Sequence, residues 1–68
     1  MNNQYWFDKA ENYESDGNYS EALKCYKEIL DDDPSNIFAL TNTSYCLMNM
    51  KKFEEAIKFI DLALYFNS

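Results

Sequence analysis

When the chain is slid along itself by 34 positions, Tyr19-Ser20-Glu21-Ala22-Leu23-Lys24 lands on Phe53-Glu54-Glu55-Ala56-Ile57-Lys58. The register holds elsewhere: Trp6 meets Leu40, Ala10 meets Ser44, Tyr26 meets Ile60 and Leu30 meets Leu64. Identities include Glu21/Glu55, Ala22/Ala56, Lys24/Lys58 and Leu30/Leu64, but most of the agreement is in size and polarity, which is what packing selects. A fixed period of this length marks a stacked repeat, each unit burying its apolar face against its neighbour. The 68 residues make two such units.

Inside each unit the apolar positions follow helical spacing. Trp6, Ala10 and Tyr13 predict a first helix over 3–16, and Tyr19, Ala22, Leu23, Tyr26, Ile29 and Leu30 a second over 20–32. Between them Asp16-Gly17-Asn18 is a break, because Gly and Asn tolerate the left-handed conformation that ends a helix. Pro34 cannot continue the second helix, and Ser35 or Asn36 can cap the next. Leu40, Ser44 and Leu47 predict a third helix over 36–49, and after Lys51-Lys52 a fourth runs over 53–66. The expected fold is all-α, four antiparallel helices in two tandem helix-turn-helix units, 3–36 and 37–68. One Gly and one Pro are too few for a turn-rich β architecture.

Trp6, Ala10, Tyr13, Gly17, Tyr19, Ala22, Tyr26 and Pro34, with Gly17-Asn18-Tyr19-Ser20-Glu21-Ala22-Leu23 and Asp33-Pro34-Ser35-Asn36, resemble the tetratricopeptide repeat. The second unit is looser: Leu40 replaces the aromatic, Lys51 the Gly, and Asn67-Ser68 the closing Asp-Pro. The resemblance implies a short right-handed α-solenoid that binds protein without catalysis. Small Ala10, Ser44, Ala22 and Ala56 would let backbones approach, with Trp6, Tyr13, Tyr19, Tyr26 and Phe53 filling the space around them.

Charge narrows the partners. Twelve acids against six Lys, with no Arg, give −6, and all of it lies in residues 1–34; residues 35–68 are neutral. A nucleic-acid binder needs a clustered basic face, so DNA or RNA is not the expected partner. No basic leader with an apolar stretch opens the chain, and no apolar run approaches the ~20 residues of a membrane span. These features predict a cytoplasmic protein with no membrane contact.

No catalytic, metal or cofactor constellation is evident. There is no His to serve as base or to activate Cys25 or Cys46, whose separation fits neither a redox motif nor a zinc site. Both are read as buried thiols rather than a disulfide. Asp31-Asp32-Asp33 lacks the Gly turn and closing Glu of a calcium loop. Asp8, Glu11 and Glu14 read as a solvated acidic helix face.

Binding is the better reading. The resemblance implies that the first helix of each unit lines a concave groove for extended peptides, here with Gln4, Phe7, Asp8, Glu11 and Glu14, then Phe38, Thr41, Asn42, Tyr45, Met48 and Asn49. An acidic strip beside an aromatic and Met strip suits a segment carrying Lys or Arg and a bulky apolar residue. Of the Lys/Asn clamp that one subclass uses for terminal carboxylates, only Asn42 is present, with Phe7 and Glu11 at the other clamp positions.

The fourth helix is apolar nearly all round. Ala56, Ile60, Ala63 and Leu64 are expected to face the partner helix, leaving Phe59, Leu62, Tyr65 and Phe66 as an additional stripe that wants burial. A further repeat, another protein or a second copy could cover it. A homodimer through this helix is the expectation, and a purely self-assembling unit is the alternative function.

Overall fold

The computed structural model describes residues 3–67. Met1 and Asn2, where a leader would begin, and Ser68, which closes the second unit, lie outside the described residues. Four helices follow in order: α1 (Asn3–Ser15), α2 (Tyr19–Asp32), α3 (Ile37–Asn49) and α4 (Phe53–Phe66). No strand occurs among the described residues. Each helix packs on its chain neighbours, α1 on α2, α2 on α3 and α3 on α4, so the chain is two hairpins side by side. The extents of 31 × 30 × 14 Å describe a slab two helices thick.

The breaks have identifiable chemistry. Gly17 takes φ +74, its N–H donates to the Glu14 carbonyl at 2.9 Å, and the Asn18 N–H reaches back to Tyr13 at 2.8 Å. Both bonds satisfy carbonyls left over at the end of α1 in the Schellman pattern. The second hairpin repeats the pattern: Lys51 donates to Met48 at 3.0 Å and Lys52 to Leu47 at 2.8 Å, but Lys51 occupies the left-handed region, at φ 63, with a side chain. Asn36 caps α3, its side-chain oxygen accepting from the Ala39 N–H at 3.0 Å.

The two turns give an opposed pair of expectations. Nothing lies within 4 Å of a Cβ built on Gly17, so Gly17→Ala is expected to cost about 1–2 kcal/mol through its backbone alone. Lys51→Gly relieves the same strain, partly offset by the freedom glycine gains when unfolded, and is expected to stabilise by about 0.5–1 kcal/mol. Urea midpoints of both variants check this, and a neutral or destabilised Lys51→Gly would sink it.

The core is laid down where the hairpins meet. Ala10, Ala22, Cys25, Tyr26, Ile29, Ala39 and Cys46 form one buried cluster, with Trp6, Phe7, Tyr13, Tyr19, Leu23 and Leu30 packed against it. Ala56 and Ala63 are buried where α4 meets the rest. Small residues let the backbones close, and aromatic rings from α1 and α2 fill the volume around them.

The second hairpin departs from expectation on α4. Phe53 was expected to fill core space and Leu64 to face the partner helix, yet they are 56% and 64% exposed. Their counterparts one repeat earlier, Tyr19 and Leu30, are packed against the core because the second hairpin lies over them. Nothing among the described residues lies over Phe53 and Leu64 in the same way, so the same register position changes from interior to surface.

Candidate functional site

Three side chains tie α1, α2 and α3 together. The Tyr26 hydroxyl on α2 donates to the Glu14 carboxylate on α1 at 2.6 Å, and the Cys46 thiol on α3 donates to the same oxygen at 3.3 Å. Glu14 is therefore turned inward and does not belong to a solvated acidic face. Burial, helped by this carboxylate, pushes the Cys46 thiol up to about 12. The Tyr26 phenol is also raised, first by burial and then by Glu14. Both groups hold their protons as donors. Cys25 and Cys46 are free and buried.

The bond from Cys46 to Glu14 joins α3 to α1 directly. Asp8 and Glu11 are exposed on α1, the Asp8 carboxylate accepting from the Gln4 amide at 2.9 Å. Phe7 is half-buried, its ring edge-on to Tyr26 with centroids 6.2 Å apart. On α3, Phe38 is 73% exposed, and Tyr45 and Met48 lie about half in solvent. The Tyr45 ring meets Tyr19 edge-on at 6.4 Å, and its backbone carbonyl accepts from Asn49 at 2.9 Å. Thr41 is exposed but donates its hydroxyl to its own helix, to the Ile37 and Phe38 carbonyls, while Asn42 is half-buried.

A cleft of about 370 Å³ lies between α2 and α4 over α3, walled by Leu23, Leu30, Leu47 and Phe59, with Lys27 and Glu55 at its edge. Lys27 pairs with Asp31 at 3.4 Å. Phe59 is thus half-buried in the cleft wall, while Leu62, Tyr65 and Phe66 of the same stripe remain exposed. At 3.6 residues per turn Phe59, Leu62 and Phe66 occupy the flank of α4 turned toward α2, whereas Phe53, Ile57 and Leu64 occupy the other flank. Tyr65 lies between the two on the outer side and meets Phe66 edge-on at 5.2 Å.

No group of three His, Cys, Asp or Glu among the described residues is placed to hold a metal ion. The Asp31-Asp32-Asp33 run is partly engaged by its own turn, where Ser35 and Asn36 donate to the Asp33 carboxylate at 3.4 and 3.3 Å. No helix among the described residues is long and apolar enough to cross a membrane.

A two-hairpin stack of this period is matched by the profile of the tetratricopeptide repeat over residues 14–67. The chain belongs to the tetratricopeptide repeat family. RNA polymerase II-associated protein 3 of Xenopus laevis is 37% identical over 60 residues, covering 88% of this chain and 9% of that protein. The protein of the same name in Gallus gallus is 39% identical over 57 residues, 84% of this chain and 9% of its own length. A TPR repeat-containing protein of Methanocaldococcus jannaschii is 30% identical over 59 residues, 87% of this chain and 10% of that protein. The chain thus spans about a tenth of the length of these relatives. Tetratricopeptide repeats are protein-interaction units, and the family is generally a scaffold without enzymatic activity.

Within that repeat frame, Glu14 is the functional-looking residue the sequence reading misplaced. The available signal was its position four after Ala10 and one after Tyr13, on the edge of the buried stripe.

Proposed function

We propose that this tetratricopeptide pair is a non-catalytic interaction module that holds an extended peptide across the outward surface of α1 and α3. One observation carries the reading: Asp8 and Glu11 on α1 and Phe38, Tyr45 and Met48 on α3 are all exposed, on two helices joined by the Cys46–Glu14 hydrogen bond. Asp8 and Glu11 attract a Lys or Arg of the partner, and the α3 residues, with the half-buried edge of Phe7, receive an apolar side chain. Thr41 shapes the floor, its hydroxyl being engaged, and Asn42 offers an amide to the peptide backbone. Relatives named for association with RNA polymerase II support a protein as the partner class. The absence of Arg and the scatter of six Lys argue against nucleic acid, and a cytoplasmic setting is the reading that goes with this module.

Self-association is the second element of the proposal. α4 presents Leu62, Tyr65 and Phe66, with Phe59 at the cleft, as apolar surface in a half of the chain that carries no net charge. A unit whose only partner is itself would use this helix alone.

The peptide reading is tested by titrating the isotope-labelled chain with an unstructured peptide alternating Lys and Leu. Saturable amide shifts are expected at Asp8, Glu11, Asn42 and Tyr45, weakening as salt is raised. Asp8→Lys with Glu11→Lys should weaken binding about tenfold or more. Shifts confined to α2 and α4, or no saturation, would overturn it.

A further inference from the structure

The cleft between α2 and α4 shares no residue with the peptide surface proposed on α1 and α3. Its lining steps by helical turns on every wall: Leu23, Lys27 and Leu30 on α2, Thr43 and Leu47 on α3, Glu55 and Phe59 on α4. From Leu23 to Leu30 the α2 wall rises about 10 Å, or two turns. The cleft is thus a short groove running with the helices, closed beneath by α3.

The chemistry of the walls selects what enters. Leu23, Leu30, Leu47 and Phe59 are apolar, and the polar group on the floor, the Thr43 hydroxyl, donates to the Ala39 carbonyl at 2.6 Å. The walls offer no unengaged donor, so an extended peptide laid in the groove would leave its own backbone groups unpaired. A helix pairs those groups internally and delivers side chains alone. The volume has room for about two of Leu or Phe size. At the rim Lys27 is already paired with Asp31 at 3.4 Å, whereas Glu55 makes no ion pair or hydrogen bond among the described residues. The uncompensated charge at the mouth is negative, on a chain of net −6, and its complement is a basic residue.

We propose that this cleft docks an amphipathic helix of a partner protein. Two apolar residues one turn apart enter between α2 and α4, and a Lys or Arg a further turn along meets Glu55. The helix lies along α2 and α4 with α3 beneath it, its ridge of side chains in the groove between them. The site goes beyond the extended-peptide reading and is independent of it, because the two use different residues.

The probe is an alanine-based helical peptide with two Leu four positions apart and a Lys four positions beyond, titrated into the isotope-labelled chain. Saturable amide shifts are expected at Leu23, Leu30, Leu47 and Phe59, with Asp8, Glu11 and Tyr45 unmoved. Glu55→Lys, at an exposed position, should weaken binding about two- to fivefold, and a probe with Glu in place of its Lys should recover that loss. A probe with Pro between its two Leu should lose binding, because the entering side chains then no longer share a helix face. Saturation at Asp8, Glu11 and Tyr45 instead overturns the inference while leaving the α1 and α3 reading standing, and absence of saturation overturns it outright. Equal binding of the Pro probe overturns the helical occupant, and an affinity indifferent to Glu55→Lys overturns the basic residue. Cleft shifts that grow with protein concentration in the absence of probe assign the groove to a second copy and overturn the partner helix.

Discussion

Tyr26→Ala is expected to abolish cooperative folding of the chain at ordinary temperatures. Tyr26 is fully buried, its ring packs edge-on against Phe7, and its hydroxyl anchors Glu14 at 2.6 Å. Truncating a buried aromatic costs about 3–5 kcal/mol, against about 3–10 kcal/mol for the whole of a domain this size. The hydroxyl is separable from the ring. Tyr26→Phe keeps the packing but removes a hydrogen bond to a carboxylate, for which about 1.5–3 kcal/mol is expected. The counterpart in the second repeat, Ile60, is only half-buried, so Ile60→Ala should cost clearly less than Tyr26→Ala. Far-UV circular dichroism with urea melts ranks the three. A Tyr26→Ala variant melting within about 1 kcal/mol of the parent would show that the core is not centred on this ring.

The contrast between Tyr26 and Ile60 also shows what the sequence could and could not disclose. Element positions were legible because helical periodicity and punctuation agree. Gly17 and Pro34 stop helices for backbone reasons, Asn36 starts one, and the helices begin or end within a residue of the spacing-based expectation. Glu14 was not legible, because Glu11 and Glu14 at i, i+3 read as a wet face unless one knows that Cys46, 32 positions away, arrives beside it. On α4 the sequence counts the apolar residues but does not say which flank is covered. Spacing alone places Phe59, Leu62 and Phe66 on one flank and Phe53, Ile57 and Leu64 on another; which of them meets α2 depends on how the second hairpin is rotated on the first. That rotation is a property of packed side chains on two hairpins together. The same limit applies to the surface proposed for a peptide. Phe38, Tyr45 and Met48 are exposed, but Phe7 is half-buried with its ring edge-on to Tyr26, a contact between helices that no local pattern encodes.

Mild alkali is expected to unfold the protein more steeply than its acidic composition would suggest. Burial and the Glu14 carboxylate push the Cys46 thiol from its ordinary 9.0 up to about 12, and Tyr26 is raised from 10.0 by the same two causes. Cys25 is raised as well, chiefly by burial. Between about pH 9 and 12 the unfolded thiol at position 46 has lost its proton and the folded one keeps it. The folded state then binds more protons than the unfolded state, so stability falls as pH rises, by up to about 1.4 kcal/mol per pH unit from this group. Tyr26 adds to the slope above about pH 10, where the unfolded phenol ionises and the folded one does not. Below pH 9 these contributions are fully present, which places the loss on the alkaline side. Urea midpoints under reducing conditions at pH 7, 9, 10 and 10.5 should fall progressively above 9. Cys46→Ala should flatten the first part of that fall while lowering stability at pH 7, since it leaves Glu14 with Tyr26 as its remaining donor across the helices. A parent midpoint that holds steady to pH 10.5, or a Cys46→Ala profile parallel to it, would mean that the thiol is not held protonated at the junction of α1, α2 and α3.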